Sequence, residues 1–273
     1  MSTEAKRYFT QRDCDFRQYL PPECTWQEMI RTGEVIEPET LIKILLLAKN
    51  FLITAPGPNR AARSELVPPW YDQWWRLILD SQPEKKKLRP FTQVKPYLTE
   101  NSLVDHSGVL FVAGAEGHEG HLHAASYMKE NVLCTILAFE QDSYFTIVGK
   151  ERGAPFLPLE VRLSMWHYSP SVDLLTVLPE RMLGVPEDEH YQALFEQLGA
   201  RYCFAEAIDP NCEEKIARGE KVSFLVIPHL PVAPTTDRVE HLFPESEPLE
   251  STAEITKLIA LLTPPRNDSF FRI

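Results

Sequence analysis

The sequence predicts an α/β fold: a parallel five-stranded sheet with helices on both faces, preceded by a mainly helical region. Three observations carry that expectation. From Val109 onward, short apolar runs alternate with helix-compatible stretches, the order that makes a parallel sheet wound with helices. The first run, Val109–Val112, is continuously apolar, as in a strand buried on both faces. Residues 1–100 instead show apolar residues at helical spacing, punctuated by prolines.

In the first hundred residues, Glu39–Leu52 places Leu41, Ile42, Leu45, Leu46, Ala48 and Leu52 on helical spacing. Pro38 suits the first turn of that helix, and Ala55-Pro-Gly-Pro-Asn59 ends it. Trp70–Leu79 is a second amphipathic stretch, rich in tryptophan; its aromatics read as packing residues, since aromatics dominate core burial. Glu84-Lys-Lys-Lys-Leu-Arg89 reads as a solvated basic linker. A domain boundary is placed near residues 81–104, dividing a helical region over 1–100 from a second domain over 105–273.

After Val109–Val112, His121–Lys129 is predicted helical and Val132–Phe139 is the second strand. An irregular stretch with Lys150 and Arg152 follows, then a helix over Leu159–Tyr168 and a third strand over Leu174–Leu178. Glu187–Leu198 is a helix with Pro186 near its start and Gly199 past its end. Arg201–Ala205 is the fourth strand and Glu213–Arg218 a short helix; Val222–Ile227 is the fifth strand. A helix starts at Thr235, and Ser251-Thr-Ala-Glu254 is a capping box opening a last one.

A chain of 273 residues with 44% hydrophobic content has room for a sizeable core. The net charge of −11 argues against a nucleic-acid partner, which needs a basic face. It leaves a nucleotide open, whose phosphates feel the local field. Five scattered cysteines without a C-x-x-C pair read as free thiols in a reducing compartment. The N-terminus lacks an apolar signal core, and Leu41–Ile53, interrupted by Lys43, Lys49 and Asn50, is too short for a membrane span. The expectation is a cytoplasmic protein with no membrane partner.

The most informative stretch is 109–129. A strand is followed by the small-residue turn Ala113-Gly114-Ala115-Glu116-Gly117, then His118-Glu119-Gly120-His121 at a helix start. Small residues let backbone N–H groups and a helix N-terminus approach an anion. Two imidazoles three apart share a face in the first turn, and phosphate suits that arrangement best. The spacing is not H-E-x-x-H, which argues against a zinc hydrolase.

The strand followed by His118-x-Gly120-His121 resembles the H-x-G-H signature of the nucleotidylyltransferase superfamily, above all its cytidylyltransferase-like branch. That branch includes glycerol-3-phosphate cytidylyltransferase and the heptose-phosphate nucleotidyltransferases. Further matches follow in order. Lys150-Glu-Arg152 resembles the family's basic loop, and Pro158-Leu-Glu160-Val-Arg162 its P-x-E-x-R helix start. Val172-Asp173 resembles its VD strand, and Pro234-Thr235-Thr236 its late S-T-T segment. The resemblance covers about residues 105–243. It implies a Rossmann-like domain that joins CMP, or less readily AMP, to a phosphorylated small acceptor and releases pyrophosphate. It also implies that His118, His121 and Lys150 are catalytic. Ala113, Gly114, Gly120, Arg152, Arg162, Thr235 and Thr236 would bind the nucleotide, with Mg2+ on the triphosphate. Homodimers are common among such proteins.

The chain departs from the pattern in three places. Val112-Ala113-Gly114-Ala115 lacks the family's Gly-x-Phe-Asp, Pro234 replaces a serine, and His229 stands where some relatives carry arginine. These departures leave a second reading open: a nucleotide-binding or scaffolding relative without turnover.

Overall fold

The computed structural model describes residues 15–54, 70–81, 86–112, 119–147, 155–180, 187–205 and 224–226. All of them lie in one compact unit, which ends at Ala233; Pro234–Ile273 forms a second unit. The helices expected over Glu213–Arg218, from Thr235 and from Ser251 lie outside the described residues.

A 3-10 turn, Phe16–Tyr19, is followed by helices α1 (Trp26–Thr32), α2 (Pro38–Thr54), α3 (Trp70–Asp80) and α4 (Phe91–Glu100). The α/β part then runs β1 (Ser107–Val112), α5 (Glu119–Asn131), β2 (Cys134–Phe139), α6 (Asp142–Ile147) and α7 (Leu159–His167). It continues with β3 (Leu174–Val177), α8 (Glu187–Leu198), β4 (Tyr202–Ala205) and β5 (Phe224–Val226). The strands lie in the order β3-β2-β1-β4-β5, and every pairing is parallel. The unit is therefore α/β with a parallel sheet, as the alternation of elements implies.

Strand periodicity assigns the two faces. Val109, Ile136 and Leu174 are register partners. They bury against Val94 and Leu98 of α4 and Leu194 and Leu198 of α8. The alternate residues face the other way. There Phe139 meets α7, whose Arg162 guanidinium lies 5.9 Å from its ring centre. Phe204 on the same side packs edge-on against Tyr127 of α5, with centroids 6.3 Å apart. Gly108 makes room for Phe204: a methyl at this position would collide with the ring.

Helix α7 is the unusual element. All nine of its residues are buried, including Glu160, Arg162, Ser164 and His167. A helix without a polar face must be covered on all sides. The sheet covers one side through β3, and α1 and α2 cover others. Trp74 of α3 adds an edge-to-face contact with Trp166, centroids 5.1 Å apart, which matches the packing reading of the aromatic stretch.

Two departures from the sequence reading have clear causes. The basic run is not a solvated linker. Lys87–Arg89 lies along the outer edge of β3: Leu175 N–H donates to Lys87 O (2.9 Å) and Arg89 N–H to Leu175 O (3.0 Å). Leu88 is buried and Lys87 Nζ donates to Ser169 O at 2.6 Å. An exposed strand edge is a liability that a short paired segment removes, and lysine stems cover apolar surface while their charged ends bond elsewhere. The second departure is α4, which fills the stretch 91–100 inside the expected boundary region. Pro90 and Pro96 hide it in the sequence, since proline reads as a breaker.

Gly199 closes α8 in the left-handed conformation (φ 68°), with its N–H on Phe195 O; this is the stop expected from the sequence.

Two outcomes test this packing. Gly108→Ala should destabilise the fold by about 1–3 kcal/mol through overpacking; an unchanged urea midpoint would refute the close approach of Phe204. The second concerns His167. Burial, with the nearby Lys87 charge second, pulls its pKa down to about 4. The unfolded chain protonates near 6.5 and the folded one near 4, so stability falls as pH drops through that window, by at most about 1.4 kcal/mol per pH unit. His167→Gln should flatten the slope between pH 6.5 and 5 in urea titrations; an unaltered slope rejects this assignment.

Candidate active site

Strand order fixes where a ligand can sit. The chain leaves β1 for β2 on one side and later returns to β4 on the other. The carboxyl ends of β1 and β4 therefore flank the switch in strand order, where open parallel sheets leave a crevice. β1 ends at Val112 and α5 begins at Glu119. Gly120 and His121 occupy the first turn of α5, at the positive end of the helix dipole. His121 is half-buried there. Of the residues predicted to bind or act on nucleotide, the structure thus brings Gly120 and His121 to the switch point. Ala113, Gly114, His118, Lys150, Arg152, Thr235 and Thr236 lie outside the described residues.

Arg162 is placed differently from the others. Its side chain is completely buried. Nη2 donates to Asp142 Oδ1 at 2.6 Å and Nε to Leu157 O at 3.1 Å. Its motif neighbour Glu160 is equally buried, and its Oε1 accepts Arg17 Nη1 at 3.0 Å and Trp26 N–H at 3.1 Å. Arg17 Nη2 also lies 3.5 Å from Asp142 Oδ2. Two cations and two carboxylates thus form one cluster. Arg17 keeps 44% of its side chain exposed, whereas Glu160 and Arg162 are fully buried, and pairing offsets the cost of desolvating those two charges.

Asp142 starts α6, directly after β2, so one end of this cluster lies near the carboxyl edge of the sheet. Next to it is a second buried group that the sequence reading missed. Glu140 N–H donates to Val112 O at 3.0 Å, and the Glu140 side chain is 1% exposed. Its Oε1 accepts the Tyr191 hydroxyl at 2.7 Å. Burial, then the Glu140 charge, raise the Tyr191 pKa, so the phenol stays a donor. Gln141 Nε2 donates to Leu178 O at 2.9 Å, tying the same edge to the end of β3. The available signal was an acidic pair, Glu140 and Asp142, directly after a mainly apolar strand.

Asp173, the acidic residue of the VD match, sits at the opposite edge. Both its oxygens accept Lys129 Nζ (2.7 and 2.6 Å), and Oδ2 also accepts Thr135 N–H at 2.8 Å. It ties the end of α5 to the starts of β2 and β3, far from the ligand edge in chain direction. Among the described residues, no three His, Cys, Asp or Glu side chains converge as metal ligands. No described helix is long and apolar enough to cross a membrane.

No family model matches the sequence, and no curated protein is significantly similar to it. Among solved structures, the lipopolysaccharide core biosynthesis protein from Thermoplasma volcanium GSS1 superposes with a TM-score of 0.34 at 16% identity. The match covers 44% of this chain and 94% of that one. A likeness that loose carries no inference about the reaction.

The cluster makes a measurable claim. Arg162→Ala removes the 2.6 Å partner of Asp142 and empties a buried space, and should cost about 3–5 kcal/mol. The double change Arg162→Met with Asp142→Asn should recover part of that loss. Urea unfolding reads both, and a loss below about 1 kcal/mol for the single variant would remove the cluster from the stabilising interactions.

Proposed function

We propose that the chain is a cytidylyltransferase-like nucleotidylyltransferase that takes a magnesium–nucleoside triphosphate and a phosphorylated small molecule as substrates. The observation that carries this reading is the placement of His121. It lies in the first turn of α5, beyond the carboxyl end of β1, where the strand order switches. A helix start and an imidazole at that point suit a phosphate chain.

In this reading an acceptor phosphate oxygen forms a bond to the α-phosphorus as the bond from that phosphorus to the bridging oxygen of the β-phosphate breaks. Pyrophosphate leaves with the electron pair of the broken bond. Negative charge on the phosphate oxygens is met by hydrogen-bond donors and cations, so alignment does more than covalent chemistry. His118 and His121 donate N–H bonds to the phosphates. Lys150 supplies a mobile cation, and Arg152 a bidentate clamp. Ala113, Gly114 and Gly120 let the backbone come close, while Thr235 and Thr236 hold the triphosphate tail. Arg162 serves the site at one remove, by fixing Asp142. CTP is preferred to ATP, following the branch that the P-x-E-x-R and T-T segments resemble.

A second reading is favoured by one specific observation. The Phe-Asp pair expected ahead of His118 is replaced by Gly114-Ala115, which suits a nucleotide-binding scaffold without turnover. Pyrophosphate release separates the two. With CTP and a panel of sugar and polyol phosphates, the protein should liberate pyrophosphate, and His121→Ala should slow it by about a hundredfold or more. Undiminished turnover in that variant removes His121 from the chemistry. Tight CTP binding without turnover across the panel selects the scaffold.

A further inference from the structure

We infer that Arg17 is a positioning residue: the N-terminal segment reaches across α7 and helps fix α6, and through it the edge of the candidate nucleotide site. The site half of this inference rests on the nucleotidylyltransferase reading; the structural half does not.

Arg17 lies in the 3-10 turn Phe16–Tyr19, more than a hundred residues before its partners in sequence. That turn is held in place independently of the charge. Phe16 is buried and meets Phe156 edge-on at 4.8 Å, and Asp15 caps the turn by accepting Arg17 N–H at 2.9 Å. The guanidinium therefore starts from a fixed base. Its two terminal nitrogens divide between two carboxylates on different elements, Glu160 of α7 at 3.0 Å and Asp142 of α6 at 3.5 Å. A planar fork can hold two acceptors in one plane.

The segment that follows Arg17 repeats the attachment. Trp26 N–H bonds Glu160, Ile36 N–H bonds the Ser164 hydroxyl at 3.1 Å, and the Tyr168 hydroxyl bonds Ile36 O at 3.3 Å. Every one of these partners is on α7 or at its end. Asp142 differs, because it belongs to α6. This helix has six residues, too few to be stable alone, and it directly follows the strand that borders β1. Arg162 holds Asp142 from the α7 side and Arg17 from the N-terminal side. Removing Arg17 takes one of its two guanidinium contacts from Asp142 and the Arg17 ion pair from Glu160, so the anchor of α6 weakens while the apolar packing of α7 stays.

Arg17→Ala and Arg17→Lys test this in the full chain. Amide hydrogen exchange of residues 142–147 should become about tenfold faster in Arg17→Ala. Residues 134–139 of β2 should keep their protection, and Arg17→Lys should restore part of the loss in α6. Calorimetric titration with CTP should show affinity lowered several-fold in Arg17→Ala and partly recovered in Arg17→Lys. Unchanged exchange in α6 overturns the positioning role, as does an equal loss of protection in β2, which would make Arg17 a general stabiliser. Faster exchange in α6 with unchanged CTP affinity overturns the link to the site. If the unaltered protein binds no CTP or ATP, the nucleotidylyltransferase reading fails and takes the site half with it, while the exchange result still decides the clamp.

Discussion

The pairing of Arg162 with Asp142 and of Arg17 with Glu160 is the constraint on which the arrangement of this chain depends. Glu160 and Arg162 sit on a helix with no exposed residue. Burying a lone charge costs several kcal/mol even after relaxation, so α7 can occupy the interior only if opposite charges arrive with it. They come from different places: Arg17 from the N-terminal segment and Asp142 from the turn after β2. A single pairing scheme therefore requires the helical N-terminal region, the middle of the α/β unit and the carboxyl edge of the sheet to be assembled together. The pairing need not make the fold more stable than an apolar equivalent would. What it does is penalise every arrangement in which one partner is missing.

The two edges of the sheet are finished in opposite ways. At the amino edge, Asp173 is saturated by Lys129 and the Thr135 N–H. Lys87 beside it has its pKa lowered to about 8, chiefly by burial, and donates to Ser169. Burial also pushes the Cys134 thiol up to about 12, which keeps it protonated and inert. These groups close the structure. At the carboxyl edge, β1 is followed by a helix N-terminus with His121, and β2 by the buried Glu140, which accepts the Tyr191 hydroxyl. That asymmetry is what a parallel sheet generates, since all helix N-termini follow strand carboxyl ends. It gives polar chemistry a location before any ligand is considered.

Much of the element order was legible. The bounds of α8 agree with the sequence reading because a helix stop at Gly199 and a clean 3.6 period coincide. β2 and β3 were legible because each is a short run that is apolar except for one threonine, Thr135 and Thr176, and buried on both faces. α4 was not, because Pro90 and Pro96 obscure its periodicity and only Val94 and Leu98 reach the core. Lys86, Lys87 and Arg89 disguised an edge pairing, since a charge run carries no information about which backbone groups beside it are bonded. At the site, the His118-Glu119-Gly120-His121 pattern located the start of the helix that follows β1. Glu140 and Asp142 escaped notice because acidic residues after a strand are common; only burial distinguishes Glu140 and only its ion pairs distinguish Asp142.

The sequence alone determined local states: the alternation of strands and helices after residue 105, several of the runs that must be buried, and that small residues and imidazoles gather after one apolar run. Those depend on periodicity, propensity and turn chemistry within a few residues. Tertiary structure alone decided that Arg162 lies inside the protein, with its guanidinium on Asp142, and that the first helices cover α7. It also decided that β1 lies between β2 and β4, so that His121 stands at the switch point. Such facts turn on which distant groups exclude water from one another, and desolvation has no signature in a one-dimensional pattern.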